Sequence, residues 1–232
     1  MTDPRTPLIV DLPEGLLLLA TDDVSGRIDT KSGALDYGLA GAVLTELVLQ
    51  GSLRLQDGKV RLATTEVAAD PLHAEVLGRI AADRPKDAKH WVNKLPHAQI
   101  RQHLLDRLVD KGIVRREEHR LLWIVPDNRY PAEADAPERH VRDAVRAAVL
   151  NGDTPQPRIG VLIGILKACD LLGTVFTKDE RKRRQQRIDQ IATGEVVSKA
   201  VSDAIKEMQA ATMAAVIAAT TAATVSSSSN SS

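Results

Sequence analysis

The sequence predicts a mostly α-helical fold: a single compact helical domain with two small β-hairpins, one of them projecting and hydrophobic. Three observations predict it. Helix start and stop signals recur along the chain at helical spacing. No long linker separates stable halves. A helix that ends in glycine and runs into a hairpin occurs twice, as LTELVLQGSLRLQDGKVRLA (Leu44 to Ala63) and LLDRLVDKGIVRREEHRLLWIV (Leu104 to Val125). In the overlay Leu47 and Val48 meet Leu108 and Val109, Gly51 meets Gly112, and Val60 meets Leu121.

The elements follow in order. Residues 1–6 form a flexible tail, and the helical domain spans 7–225. Asp11-Leu-Pro-Glu14 is a helix start, with Asp11 as cap, Pro13 in the first turn and Glu14 reaching back. Leu16 to Leu19 is apolar on every side, which predicts a buried helix. Leu35 to Gln50 reads as a helix closed by Gly51 in the left-handed conformation. Asp57-Gly58 between alternating runs predicts a two-residue hairpin. Pro71 opens a helix to about Ala82, Lys86 to Leu95 is helical and carries Trp91, and Pro96 starts a helix that stops at Gly112. The second hairpin is expected over Ile113 to Val125, turning near Glu117-Glu118-His119, with Pro126 to Ala136 as a loop. Asp135-Ala-Pro-Glu138 repeats the capping signature and opens a helix to Leu150. Arg158 to Thr174 is a mostly buried helix, Lys178 to Ala192 a basic one, and Glu195 to Thr224 the last one or two. The Ser-rich end, 226–232, is expected to be disordered.

Composition narrows the function classes. The hydrophobic fraction is 43% but the aromatic fraction only 2%, so Leu, Val, Ile and Ala must build the core. The formal net charge is +0, which counts against a nucleic-acid binder without excluding a local basic face. One cysteine, Cys169, leaves no internal disulfide to form. The longest apolar run is broken by Lys167 and Asp170, and a spanning helix needs about 20 mostly apolar residues. Together with an N-terminus lacking signal-peptide pattern, this predicts a soluble, cytoplasmic protein. Usage rich in Ala and Arg and poor in Lys points to a high-GC bacterium.

Catalytic chemistry finds no motif. There is no glycine loop for phosphate, and the six histidines read as isolated surface residues without metal-ligand spacing. Cys169, in an apolar helix, reads as structural. The expectation is therefore no enzyme, no metal and no cofactor. Two surface features stand out. Leu121, Leu122, Trp123, Ile124 and Val125 form a continuous apolar run beside Arg115, Arg116 and Arg120. A half-buried strand should alternate, so this run is either sandwiched in the core or meant for another surface. Arg181, Lys182, Arg183, Arg184 and Arg187 form a basic run partly balanced by Asp179, Glu180 and Asp189. It is either a solvated helix face or a patch for anionic lipid or nucleic acid.

An ordered set of segments resembles the Golgi phosphoprotein 3 family. RIGVLIGILKACDLLGTVF (Arg158 to Phe176) resembles its long buried helix, and LLLLATDDVSGR (Leu16 to Arg27) its first helix and turn. GLAGAVLTELVLQGSLRL (Gly38 to Leu55) resembles its second helix and first strand. Trp91 and LVDKGIV (Leu108 to Val114) also match in place. The resemblance implies a peripheral membrane adaptor whose eukaryotic members bind phosphatidylinositol 4-phosphate and the cytoplasmic tails of glycosyltransferases. It implies that Leu121 to Ile124 insert into membrane or mediate self-association, so a homo-oligomer and protein tails join the expected partners. The family's lipid pocket uses a tryptophan and three arginines. Their positions correspond here to Lys31, Ala40, Ala98 and Arg101, so Arg101 and Lys31 are the head-group candidates. The expected location is the inner face of a membrane. The rival readings are a protein-recruiting scaffold without a specific lipid pocket and a tandem winged-helix-like DNA binder, with nucleic acid disfavoured.

Overall fold

The computed structural model describes residues 10–22, 25–28, 33–64, 68–118, 120–121, 125–126, 128–194, 210–218 and 221. The tails expected at 1–6 and 226–232 lie outside these. The fold is a mostly helical single domain. Its centre is built from three helices with little polar surface: α1 (Leu12–Leu19), α2 (Ala34–Leu49) and α7 (Pro157–Ala168). Every residue of α1 is buried. A helix apolar all round has no face to give to water, so it must be surrounded. Around the centre lie α3 (Pro71–Ala81), α4 (Ala88–Lys94), α5 (His97–Asp110), α6 (Asp135–Arg146) and α8 (Lys178–Ala192). α5 packs on α1 and α2, while α8 packs on α7 from the other side. Residues 210–218 form a further helix, α9, with Thr212, Ala215 and Val216 buried.

Local signals set most ends. Asp11 accepts from the Glu14 N–H at 3.0 Å, and Glu14 accepts from the Asp11 N–H at 3.0 Å, a complete capping box with Pro13 in the first turn. Asp57 and Gly58 have φ of 54° and 68°, as a two-residue hairpin turn requires. They join β1 (Leu53–Gln56) to β2 (Lys59–Leu62), with Leu53 opposite Leu62 and Leu55 opposite Val60. The internal repeat holds at the helix ends. Gly51 N–H donates to Val48 O and Ser52 N–H to Leu47 O, while Gly112 N–H donates to Val109 O and Ile113 N–H to Leu108 O. These are two Schellman closures with left-handed glycines (φ 76° and 64°) at the same place.

Three expectations need correction. The second hairpin does not turn at Glu117-Glu118-His119. Glu117 bridges to Arg129 and Val114 to Ala132, so residues 128–132, expected as loop, run antiparallel to 114–117. β3 (Arg120–Leu121) pairs antiparallel with β4 (Val125–Pro126), both beyond the expected turn. His119, Leu122, Trp123 and Ile124 lie outside the described residues. The helix from Arg158 stops at Ala168, not Thr174: Asp170 takes φ 58° and the chain continues as a 3₁₀ turn, Leu172–Thr174. Asp135 is the first residue of α6 rather than its cap, so no capping box forms there; Glu138 instead accepts from Arg142. α6 then passes into a π-helical turn, Ala147–Asn151.

Cys169 is buried and its Sγ–H donates to Ala34 O at 3.4 Å. Burial pushes its thiol up to about 12. At pH near 8 roughly one such thiol in ten thousand is ionised, and the thiolate is the reactive form. Native protein is expected to react with Ellman's reagent far more slowly than urea-unfolded protein. Equal rates would show that this core is open to solvent.

Candidate lipid head-group site

Arg101 sits in the second turn of α5 and reaches across to the first turn of α2. There its Nη1 donates to Asp36 Oδ1, an ion pair joining groups 65 positions apart. The Arg101 side chain is 27% exposed and that of Asp36 23%. His97 lies one turn before Arg101 on α5, so the two share a face. The His97 ring rests on Tyr37, next to Asp36, with ring centroids 4.4 Å apart, and its Nε2 lies 2.8 Å from Val92 O. The candidate site is thus where α2 and α5 begin, with Asp36, Tyr37, His97 and Arg101 in one group. Ala40 is fully buried and Ala98 exposed, so neither position adds charge. Lys31 lies outside the described residues.

The other predicted residues are not gathered at this site by any described contact. Arg115 pairs with Glu117. Arg116 pairs with Asp106 and lies over the Tyr130 ring, 5.9 Å from its centroid. The basic run on α8 is largely occupied. Arg184 donates to Leu150 O at 2.8 Å, and Arg187 donates to Ala148 O, Gly152 O and Asp153 O. These carbonyls belong to the π-helical turn and the residues just beyond it, where backbone acceptors lack intrahelical partners. Arg181 packs near Gly173 with its Nε buried. Lys182 and Arg183 remain exposed and line open grooves, one of about 560 Å³ between Leu150, Glu180, Arg183 and Arg184. The start of α8 is fixed by a capping box between Thr177 and Glu180. Arg146 donates to Glu180 at 2.7 Å and, with the Thr177 N–H, holds its carboxyl down at about 2.

Sequence reasoning missed the ion pairs inside the fold. Glu46, in α2, is buried, and Arg158 embraces it with Nε and Nη2 at 3.0 and 2.6 Å. The Leu12 N–H also donates to Glu46, and despite burial its carboxyl stays below the usual range because Arg158 bonds it. Fully buried Glu14 takes Lys111 Nζ at 2.6 Å and Arg107 at 3.0 Å. Arg107 also pairs with Asp11 at 2.6 Å and lies 3.3 Å from Asp70. The signal was present: a glutamate inside LPEGLLLL or AVLTELVL must find a cation. His73 is buried too, contrary to the reading of all six histidines as surface residues. Among the described residues no group of three or more His, Cys, Asp or Glu is placed to hold a metal, and no helix is long and apolar enough to cross a membrane.

The family model described as Golgi phosphoprotein 3 (GPP34) matches residues 12–208, from the start of α1 past α8. The chain is also similar to vacuolar protein sorting-associated protein 74 of Schizosaccharomyces pombe, 27% identical over 134 residues. That match covers 48% of this chain and 40% of the relative's length. A match reaching from the capping box of α1 through the buried helices α2 and α7 to the basic α8 takes in the whole framework that holds Arg101. The chain belongs to the Golgi phosphoprotein 3 (GPP34) family.

Proposed function

We propose that this protein is a peripheral membrane adaptor, a bacterial member of its family, that binds anionic phospholipid head groups. Phosphatidylinositol 4-phosphate or a related phosphoinositide is the preferred head group. The observation that carries the reading is the family match over residues 12–208, which includes Arg101 at the α2–α5 corner. A guanidinium can pair a phosphate through two parallel N–H groups. Asp36 engages Nη1, and among the described residues no other protein group bonds this guanidinium. Lys31 supplies a second charge, and Leu121, Leu122, Trp123 and Ile124 insert into the membrane. Burying one large apolar side chain contributes about 1.5–3 kcal/mol, and each basic residue near an anionic bilayer about 1 kcal/mol. Arg115, Arg116, Lys182 and Arg183 add long-range attraction from the inner face of the membrane. The hairpin also serves self-association and the docking of protein tails.

Liposome flotation at physiological salt tests this reading. Vesicles carrying phosphatidylinositol 4-phosphate are expected to bind the protein, and Arg101→Ala, Trp123→Ala and Leu122→Asp are each expected to reduce binding at least several-fold. Binding that ignores Arg101→Ala would remove the pocket. Binding that ignores both hairpin variants would remove insertion. No binding to any anionic vesicle would move the weight to a protein-recruiting scaffold. The DNA-binding reading loses its main element, because the helix of the first repeat copy is α2, most of whose residues are buried in the core.

A further inference from the structure

We infer that Asp36 is a built-in competitor for Arg101 that sets the charge a ligand must carry to enter the site. The inference rests on the head-group reading above and concerns selectivity within it. Among the described residues Asp36 is the one carboxylate paired with Arg101, and the pair is neutral overall. The two groups come from different helices, so their meeting is a product of the fold rather than of neighbouring residues. Both are about one-quarter exposed, a position where an ion pair is screened by water and can be opened at small cost. Asp36 occupies only Nη1, so a phosphate that pairs Nε and Nη2 shares the single positive charge with a carboxylate of charge −1, and one that takes Nη1 displaces it. A phosphate diester, as in phosphatidylglycerol or unphosphorylated phosphatidylinositol, also carries −1 and gains little by displacing it. A phosphate monoester carries about −1.5 to −2 and three acceptor oxygens, so it wins the exchange. Asp36 therefore discriminates against singly charged head groups and admits phosphate monoesters.

The test compares the full-length protein with Asp36→Asn, which keeps an acceptor oxygen and removes the charge. Asp83→Asn, in the loop after α3, makes the same change in net charge away from the site. Vesicles carry phosphatidylglycerol, phosphatidylinositol or its 4-phosphate. Thermal melts confirm that each variant is folded. Asp36→Asn is expected to tighten binding to the two diester vesicles about five-fold, the upper end for an ion pair that water reaches. It should tighten binding to the 4-phosphate vesicles less, so the preference for the monoester falls. Asp83→Asn should change nothing, and adding Arg101→Ala to Asp36→Asn should erase the gain. Soluble inositol 1,4-bisphosphate should compete with the 4-phosphate vesicles if the monoester alone is recognised; failure to compete would assign recognition to the lipid surface and overturn the proposal. If Arg101→Ala weakens the wild type while Asp36→Asn changes nothing, the head-group reading stands and this inference falls. If Arg101→Ala has no effect in either background, both fall.

Discussion

Arg107→Ala is expected to lower the stability of the fold by about 3 kcal/mol at neutral pH, the scale for removing one partner of a buried ion pair. One guanidinium there serves three carboxylates, on Asp11, Glu14 and Asp70. Glu14 is fully buried and, among the described residues, keeps only Lys111 as a cation after the change. The effect has a pH signature. The Asp11 carboxyl already titrates above its usual 3.8, first because burial disfavours its charge and then because Glu14 is near, while Arg107 pulls it down. Without Arg107 it must rise further. A carboxyl whose folded pKa lies above its unfolded value penalises folding fully above the folded pKa and not at all below the unfolded one. The deficit of Arg107→Ala relative to wild type should therefore shrink on acidification to about pH 4. The lowered carboxyl of Glu46 works in the opposite sense but is common to both proteins, so it cancels in the difference. Arg107→Lys should recover only part of the loss, since the donors of an ammonium radiate from one nitrogen, whereas Arg107 meets Asp11 and Glu14 through Nη2 and Asp70 through Nη1. Urea unfolding at both pH values measures this, and a deficit below about 1 kcal/mol at neutral pH would mean the cluster adds little net stability.

The same cluster marks how far sequence reading reaches. Asp11 and Glu14 were legible as a capping box because the two residues are three apart and bond each other whatever surrounds them. Their second role, holding Arg107 and Lys111 nearly a hundred positions away, depends on how α1 meets α5 and leaves no local trace. Asp57-Gly58 was legible for the same local reason. Asp135-Ala-Pro-Glu138 has an equally good local pattern and fails, because the chain enters α6 one residue earlier and Glu138 is drawn to Arg142. The end of α7 was illegible because no glycine or proline marks it. The apolar pattern, interrupted at Lys167 and Asp170, resumes as far as Phe176, and the chain turns out of the helix at the left-handed Asp170. The hairpin reversal was misplaced because three polar residues, Glu117 to His119, looked like a turn although Glu117 bridges to Arg129. At the candidate site Arg101 was legible by resemblance. Asp36 was not, since its pairing with Arg101 exists only when α2 and α5 start side by side.

Gly41→Ala is expected to release α9 from the rest of the fold at a cost of about 1–3 kcal/mol, the range for forcing extra volume into a packed contact. α9 crosses α2 where Gly41 has no side chain. A Cβ there would lie 2.6 Å from the Cβ of Thr212 and closer still to its Oγ1 and Cγ2. Thr212 is fully buried and too short to swing its Cβ aside, so one backbone must move. α2 is hard to shift, because it is closely packed one turn earlier on the same face: a Cβ on Gly38 would lie 2.7 Å from Cys169 Sγ and 3.1 Å from Ile165 Cγ2. α2 is further tied by Glu46 to Arg158 of α7. Among the described residues α9 contributes Thr212, Ala215 and Val216 to the buried core, against twelve buried residues in α2, so α9 is the element expected to yield. Hydrogen exchange should then show amides in 210–218 losing protection in Gly41→Ala while those of α1, α2 and α7 keep theirs. Thr212→Ala should not reproduce the loss, since it removes atoms from the contact rather than adding them. Uniform loss of protection across the core would instead mean that α9 is integral to the domain, and that the small residues of α2 hold the whole bundle together rather than one docked helix.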